Sequence, residues 1–144
     1  MLPLIEDRVG WNPIDVFESL DFIYMPSRDA GAELEQLVEG LGAEPVFAIE
    51  RFGTRVAMLR VSPEGPALLL AEHLEGDRPI LIYRVADLEA AIAELEGRGA
   101  ELGPRFEMPY GPGIEVLSRG PQRLAVYELT RPERGASITG RRDF

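Results

Sequence analysis

LLLAEHLEGDRPILIYRVADLEAAIAELEGRG, residues 68–99, contains the pattern on which the fold turns. Ile80 to Tyr83 is a strand-like apolar run. Asp87 follows where a helix needs an N-cap. Leu88, Ala91, Ile92 and Leu95 recur at helical spacing, and Gly97 and Gly99 end the pattern. The same order stands upstream. Phe22 to Met25 is an apolar run, Pro26 to Asp29 a turn, and Ala30, Leu34, Leu37, Val38 and Leu41 one helical face stopped by Gly42. Asp29 and Asp87 lie 58 residues apart; Gly42-Ala43-Glu44 and Gly99-Ala100-Glu101 lie 57 apart. The chain is an internal repeat with a one-residue gap.

Each helix is followed by strand-like segments. In the first half these are Pro45 to Ile49, Thr54 to Val61 and Ala67 to Glu72. In the second they are Arg105 to Met108, Ile114 to Ser118 and Arg123 to Leu129. Gly65-Pro66 and Gly120-Pro121 open the last strand of each half, and Glu72 and Glu128 close it. The Gly/Pro-rich stretch Glu107 to Gly113 reads as a loop. The expected fold class is α+β: two tandem βαβββ modules, about residues 20–75 and 78–130, in one domain spanning 1–144. Residues 1–19 read as a lead-in with Trp11 and Phe17 packed on the body. Residues 131–144, with three basic residues after Glu133, read as a loose extension or a dimer strap. One helix per module covers only one sheet face, so the other face needs a partner, a ligand or both.

Over roughly Leu20 to Pro132 this layout resembles the glyoxalase/bleomycin-resistance/dioxygenase family, the vicinal oxygen chelate superfamily, and an uncharacterised glyoxalase-like branch in particular. The resemblance implies a curved, mostly antiparallel sheet around a cavity, and a homodimer. It also implies metal ligands near the start of the first strand and within the last strand of each module. Counted from the repeat landmarks, those positions fall on Phe22 and Ile80, and near Leu69 and Ala125. None carries a donor atom. A zinc-, iron- or nickel-type ion needs three or four converging N, O or S donors. The chain has no cysteine and one histidine, His73, and adjacent strand residues such as Glu72 and His73 point to opposite faces. The expectation is therefore no metal and no other cofactor.

Strand alternation from Phe22 and Ile80 brings Tyr24, Ile82 and Arg84 to the same face, and the last strands add Leu69, Ala71, His73, Ala125 and Tyr127. Phe22, Tyr24, Ile82, Arg84 and Tyr127 are the expected ligand-binding residues. Arg84 could take a ligand carboxylate through its planar fork, or pair with Glu128 or Asp87. His73 is the one side chain with an ordinary pKa near neutrality, so it is the candidate general acid or base.

Composition sets outer bounds. The 144 residues suit a single domain, and a net charge of −10 opposes binding to phosphate backbones, so nucleic acid is not an expected partner. No apolar run approaches the roughly 18 residues of a membrane helix, and MLPLIEDRVGWNPID lacks a secretory pattern, so a cytoplasmic location is expected. Neither a phosphate-binding loop nor a G-x-S-x-G nucleophile motif is present. Three functions follow from the resemblance. The first is binding of a small, mainly apolar organic molecule in a metal-free cavity. The second is a metal-dependent lyase, isomerase or dioxygenase recruiting His73, Glu72 and Glu128 from shifted positions. The third is sequestration of a cationic antibiotic.

Overall fold

The computed structural model describes residues 16–51 and 53–144. Along the chain run β1 (Phe17–Pro26), α1 (Ala30–Leu41), β2 (Glu44–Arg51), β3 (Thr54–Arg60) and β4 (Ala67–Ala71). The second half repeats the order with β5 (Ile80–Val85), α2 (Leu88–Gly97), β6 (Leu102–Met108), β7 (Gly111–Val116) and β8 (Arg123–Glu128), then adds α3 (Pro132–Ile138). All eight strands join in one sheet in the order β2-β3-β4-β1-β5-β8-β7-β6. Within each module the first strand lies parallel to the last, β1 with β4 and β5 with β8. The modules meet through the antiparallel pair β1–β5. The chain is therefore an α+β protein with a mostly antiparallel sheet, as the repeat predicts.

α1 and α2 begin in the same way. Asp29 accepts a hydrogen bond from the Ala32 amide at 3.0 Å, and Asp87 accepts from Ala90 at 2.9 Å. A second carboxylate arrives from the end of each module. Glu72 accepts from the Ala30 amide at 2.8 Å, and Glu128 from Leu88 at 2.7 Å. Two of the otherwise unpaired amides of each first turn are satisfied, with negative charge at the positive end of the helix dipole. α1 stops at Gly42, whose φ of 69° suits a residue without Cβ; the Gly42 and Ala43 amides donate back to Val38 and Leu37.

Three cores result. α1 seats Ala30 and Leu34 on Ala48, Ala57, Leu59 and Leu70 of the first module's outer face. α2 seats Leu88 and Ala91 on Val85, Ile114 and Val126 of the second's. The concave face holds the third, shared by both modules: Phe22, Phe47, Met58, Leu69, Ile80, Ile82, Ala125 and Tyr127. Phe47 and Tyr127 are almost fully enclosed there. Burying side chains of this size contributes about 1.5–3 kcal/mol each.

Two sequence expectations are corrected. Glu107 to Gly113 is not an open loop: a two-residue turn, Pro109-Tyr110, joins β6 to β7, and Gly111 and Gly113 belong to β7. Both glycines are demanded by close approach. A Cβ on Gly111 would collide with the Glu128 carbonyl oxygen, and one on Gly113 would collide with the Phe106 ring. Nor is the tail loose. Gly140 donates to the Val46 carbonyl at 2.7 Å, Ala48 donates to Arg141 at 2.8 Å, and Asp143 donates back to Ala48. The free edge of β2 thereby gains a short parallel bridge at Ala48–Arg142. Phe17 packs edge-on to Tyr83, with ring centroids 6.0 Å apart. Trp11 and the rest of residues 1–15 lie outside the described residues.

Gly40 in α1 and Gly111 should respond oppositely to alanine in urea unfolding. Gly40 has open space at its Cβ position, so Gly40→Ala gains about 0.5–1 kcal/mol of helix propensity. Gly111→Ala loses about 1–3 kcal/mol from overpacking against backbone.

Candidate functional site

Strand registers assemble the centre of the concave face as two rows. One runs Ala67–Phe22–Ile82–Ala125 and the next Leu69–Tyr24–Ile80–Arg123. Phe22, Leu69, Ile80 and Ala125, the positions tested for metal ligands, fall side by side in these rows and inside one apolar cluster. They supply no donor atom. Among the described residues no three His, Asp or Glu side chains come together as a metal cage. The residues present do not fit a divalent ion at this centre.

Polar groups gather at the two ends of the face. At the first end β1 bulges twice: pairing jumps from Phe17 to Ser19 and from Leu20 to Phe22, leaving Glu18 and Asp21 unmatched against β5. A bulge re-aims the extra side chain. Here both carboxylates converge on Arg84, which is paired with Ser19 on one side and Tyr127 on the other. Arg84 Nε lies 3.2 Å from a Glu18 oxygen and 3.6 Å from Asp21 Oδ2. These are charge contacts: the buried Nε forms no aligned hydrogen bond to a described residue. Asp21 accepts hydrogen bonds from the Ser19 and Tyr127 hydroxyls, each 2.5 Å long. Burial, and then the bond to Asp21, push the Tyr127 phenol well above its ordinary pKa. Arg84 therefore meets neither Glu128 nor Asp87, the partners weighed from sequence. Both of those carboxylates serve the α2 N-terminus.

At the other end stands His73, exposed, just past the end of β4. Its Nε2 lies 3.3 Å from the Tyr24 hydroxyl and its Nδ1 lies 3.2 Å from Thr54 Oγ1. Glu72 turns the opposite way, to the Ala30 amide, so Glu72 and His73 diverge as their adjacency predicts. Burial raises the Tyr24 phenol to about 12.

Between the two ends the face is packed rather than hollow. Tyr110, at the β6–β7 turn, reaches across from the second module, stacks on Phe22 with centroids 5.1 Å apart, and donates to the Met58 sulfur. The Tyr127 ring lies 5.4 Å from Phe22 on the other side. The structure thus brings Phe22, Tyr24, Ile82, Arg84 and Tyr127 onto one face, but Phe22, Ile82 and Tyr127 are core side chains there. Two recesses lie elsewhere. One, of about 560 Å³, is beside the start of α1 and is lined by Ser27, Arg28, Glu33 and Glu72. The other, of about 300 Å³, is a wholly apolar groove among Phe17, Tyr83, Leu95, Val116 and Leu124. Sequence reasoning missed Asp21, Glu18 and Tyr110. An aspartate inside the apolar run Leu20 to Met25 and an aromatic residue between Pro109 and Gly111 were the available signals.

No protein-family model and no curated protein sequence matches the chain. Solved structures do. Methylmalonyl-CoA epimerase from Mycobacterium tuberculosis superposes with a TM-score of 0.70 at 18% identity, over 86% of this chain and 96% of that one. A single-substitution variant of the Streptomyces coelicolor methylmalonyl-CoA epimerase, in complex with 2-nitronate-propionyl-CoA, gives 0.67 at 15% identity, over 79% and 96%. A hypothetical protein from Bacillus halodurans gives 0.66 at 15%, over 76% and 93%. Methylmalonyl-CoA epimerases are members of the glyoxalase/bleomycin-resistance superfamily, so the fold is the vicinal oxygen chelate fold. Among the described residues no helix is long and apolar enough to cross a membrane.

The phenols supply a test of this geometry. Burial holds both Tyr24 and Tyr110 near 12, against an ordinary value of 10.0. Raised folded values favour the neutral form, so their stabilising contribution is complete below pH 10 and lost as pH rises through 12. Ultraviolet titration should show tyrosines still neutral at about pH 11, with fewer late-titrating groups in Tyr24→Phe and in Tyr110→Phe. Full ionisation of the wild type by that pH would contradict the packing described.

Proposed function

From the vicinal oxygen chelate fold, we propose that this protein binds a small, mainly apolar organic molecule over the concave face without a metal ion. One observation carries the reading: the centre of that face, Phe22, Leu69, Ile80, Ile82 and Ala125, is apolar, and among the described residues Glu18, Asp21 and Arg84 stand at one end and the His73 imidazole at the other. Apolar floors with a few convergent polar groups suit small organic molecules. Arg84 is the anchor for an acceptor group on the ligand, because it is the cation at this end of the face, held through its Nε by Glu18 and Asp21 while the side chain stays about one-third (34%) exposed. Tyr24 and His73 mark the far limit of the site. A Streptomyces coelicolor neighbour with an acyl-CoA analogue supports the use of this fold for organic ligands.

The metal-dependent alternative draws less support. It needs Glu72 and Glu128 as donors, and both carboxylates are engaged at helix N-termini. His73 stands apart from them, against Tyr24 and Thr54, as the candidate acid or base.

The probe 8-anilino-1-naphthalenesulfonate has an apolar body and one acceptor group. It should bind wild-type protein saturably, with Arg84→Ala weakening it about tenfold, equivalent to about 1.4 kcal/mol. Elemental analysis of tag-free protein should find no stoichiometric zinc, iron, manganese or nickel. Stoichiometric metal, or unchanged affinity in Arg84→Ala, would overturn the reading.

A further inference from the structure

We propose that Tyr110 and residues 131–144 form a lid that must lift before the concave face can receive a ligand, an inference that rests on the function proposed above. The lid is one connected piece. The Thr130 and Arg131 amides both donate to the Tyr110 carbonyl, at 3.0 and 2.8 Å. The Arg131 guanidinium reaches Glu107, the Met108 carbonyl and the Pro109 carbonyl around the same turn. Gly135 of α3 lies flush on the Tyr110 ring; a Cβ there would collide with it. Ile138 packs on the concave core, and the tail then crosses to the opposite module, where residues 140–143 bond the free edge of β2. Beyond them the Phe144 ring lies 4.1 Å beneath the Arg55 guanidinium. Lifting this piece would carry Tyr110 off Phe22.

Of the three described helices, α3 is the least firmly anchored at its start. α3 has seven residues, no side-chain N-cap, and one buried position, a glycine without a side chain. Helices this short are marginal in water, and segments with few buried apolar contacts are the first to open. α1 and α2 differ: each has a double carboxylate cap, and they bury Ala30 and Leu34 and Leu88, Ala91 and Leu95 respectively. Within the chain the tail is thereby a strap between modules.

A disulfide lock tests this. The chain has no cysteine, so Ala48→Cys with Arg142→Cys, across the bridge that ties the tail to β2, creates one controllable link. Oxidation should slow association of 8-anilino-1-naphthalenesulfonate at least tenfold, and reduction should restore it. Equal rates in both states would overturn the lid, and so would a disulfide-linked dimer on a non-reducing gel. Amide exchange supplies a reading that needs no ligand. The Ala48, Gly140 and Asp143 amides should exchange at least tenfold faster than those of β3; exchange only with global unfolding overturns the lid even where the probe binds. Fast exchange at these amides with no probe binding to reduced, unlocked protein keeps the lid and removes the binding function.

Discussion

Each module has one helix and a sheet with two faces. α1 and α2 both lie on the outer side, so the concave face, with Phe22, Ile80, Ile82 and Tyr127 on it, must be dried by something else. In this chain the cover is internal. The β6–β7 turn sends Tyr110 across to Phe22 of β1 and Met58 of β3, and α3 closes behind it. Gly135 follows from that need, while Gly111 and Gly113 answer the close approach of the Glu128 backbone and the Phe106 ring. Each is a place where backbone or an aromatic ring comes too close for a Cβ.

The same need decides what chemistry the face can hold. Its middle is apolar because the chain itself packs there, and an unpaired charge in such a place would cost several kcal/mol. Among the described residues, Glu18, Asp21 and Arg84 stand at one margin and His73 at the other. At one margin two bulges in β1 displace Glu18 and Asp21 toward Arg84, where Asp21 gains two hydroxyl donors as well as the nearby cation. Ion pairing and hydrogen bonding offset the loss of water around that carboxylate. At the other margin His73 lies beyond the end of β4 and finds two hydroxyl partners.

Much of the fold was legible because it is local and repeated. Capping aspartates, helical periodicity and the Gly42 stop are short-range signals, and finding them twice fixed the module order. Alternation also placed Phe22, Tyr24, Ile82, Arg84 and Tyr127 on one face correctly. What escaped were contacts between residues distant in sequence. The Ser19–Arg84 register depends on bulges that no pattern announces, so the sequence offers Arg84 a ligand carboxylate, Glu128 or Asp87, and the structure sets Glu18 and Asp21 beside it. Tyr110 and the tail read as loop and extension because their partners, Met58 and Phe22 for Tyr110 and Val46 for Gly140, lie far away in sequence, on the other module.

The repeat itself separates structural residues from site residues. Where the modules match, the side chains hold helices in place: Asp29 with Glu72 in the first does what Asp87 with Glu128 does in the second. Where they differ, the concave face acquires its polarity. At the repeat's own offsets Arg84 corresponds to Pro26, Tyr127 to Ala71, His73 to Leu129 and Tyr24 to Ile82. A symmetric face would present the same groups at both ends. This one has a cation with two carboxylates at one end and an imidazole with two hydroxyls at the other, so a molecule lying along it meets different partners at its two ends. Direction along the face is thereby specified by differences between two copies of one fold: side chains that differ at matching positions, and bulges in β1 that aim Glu18 and Asp21 at Arg84.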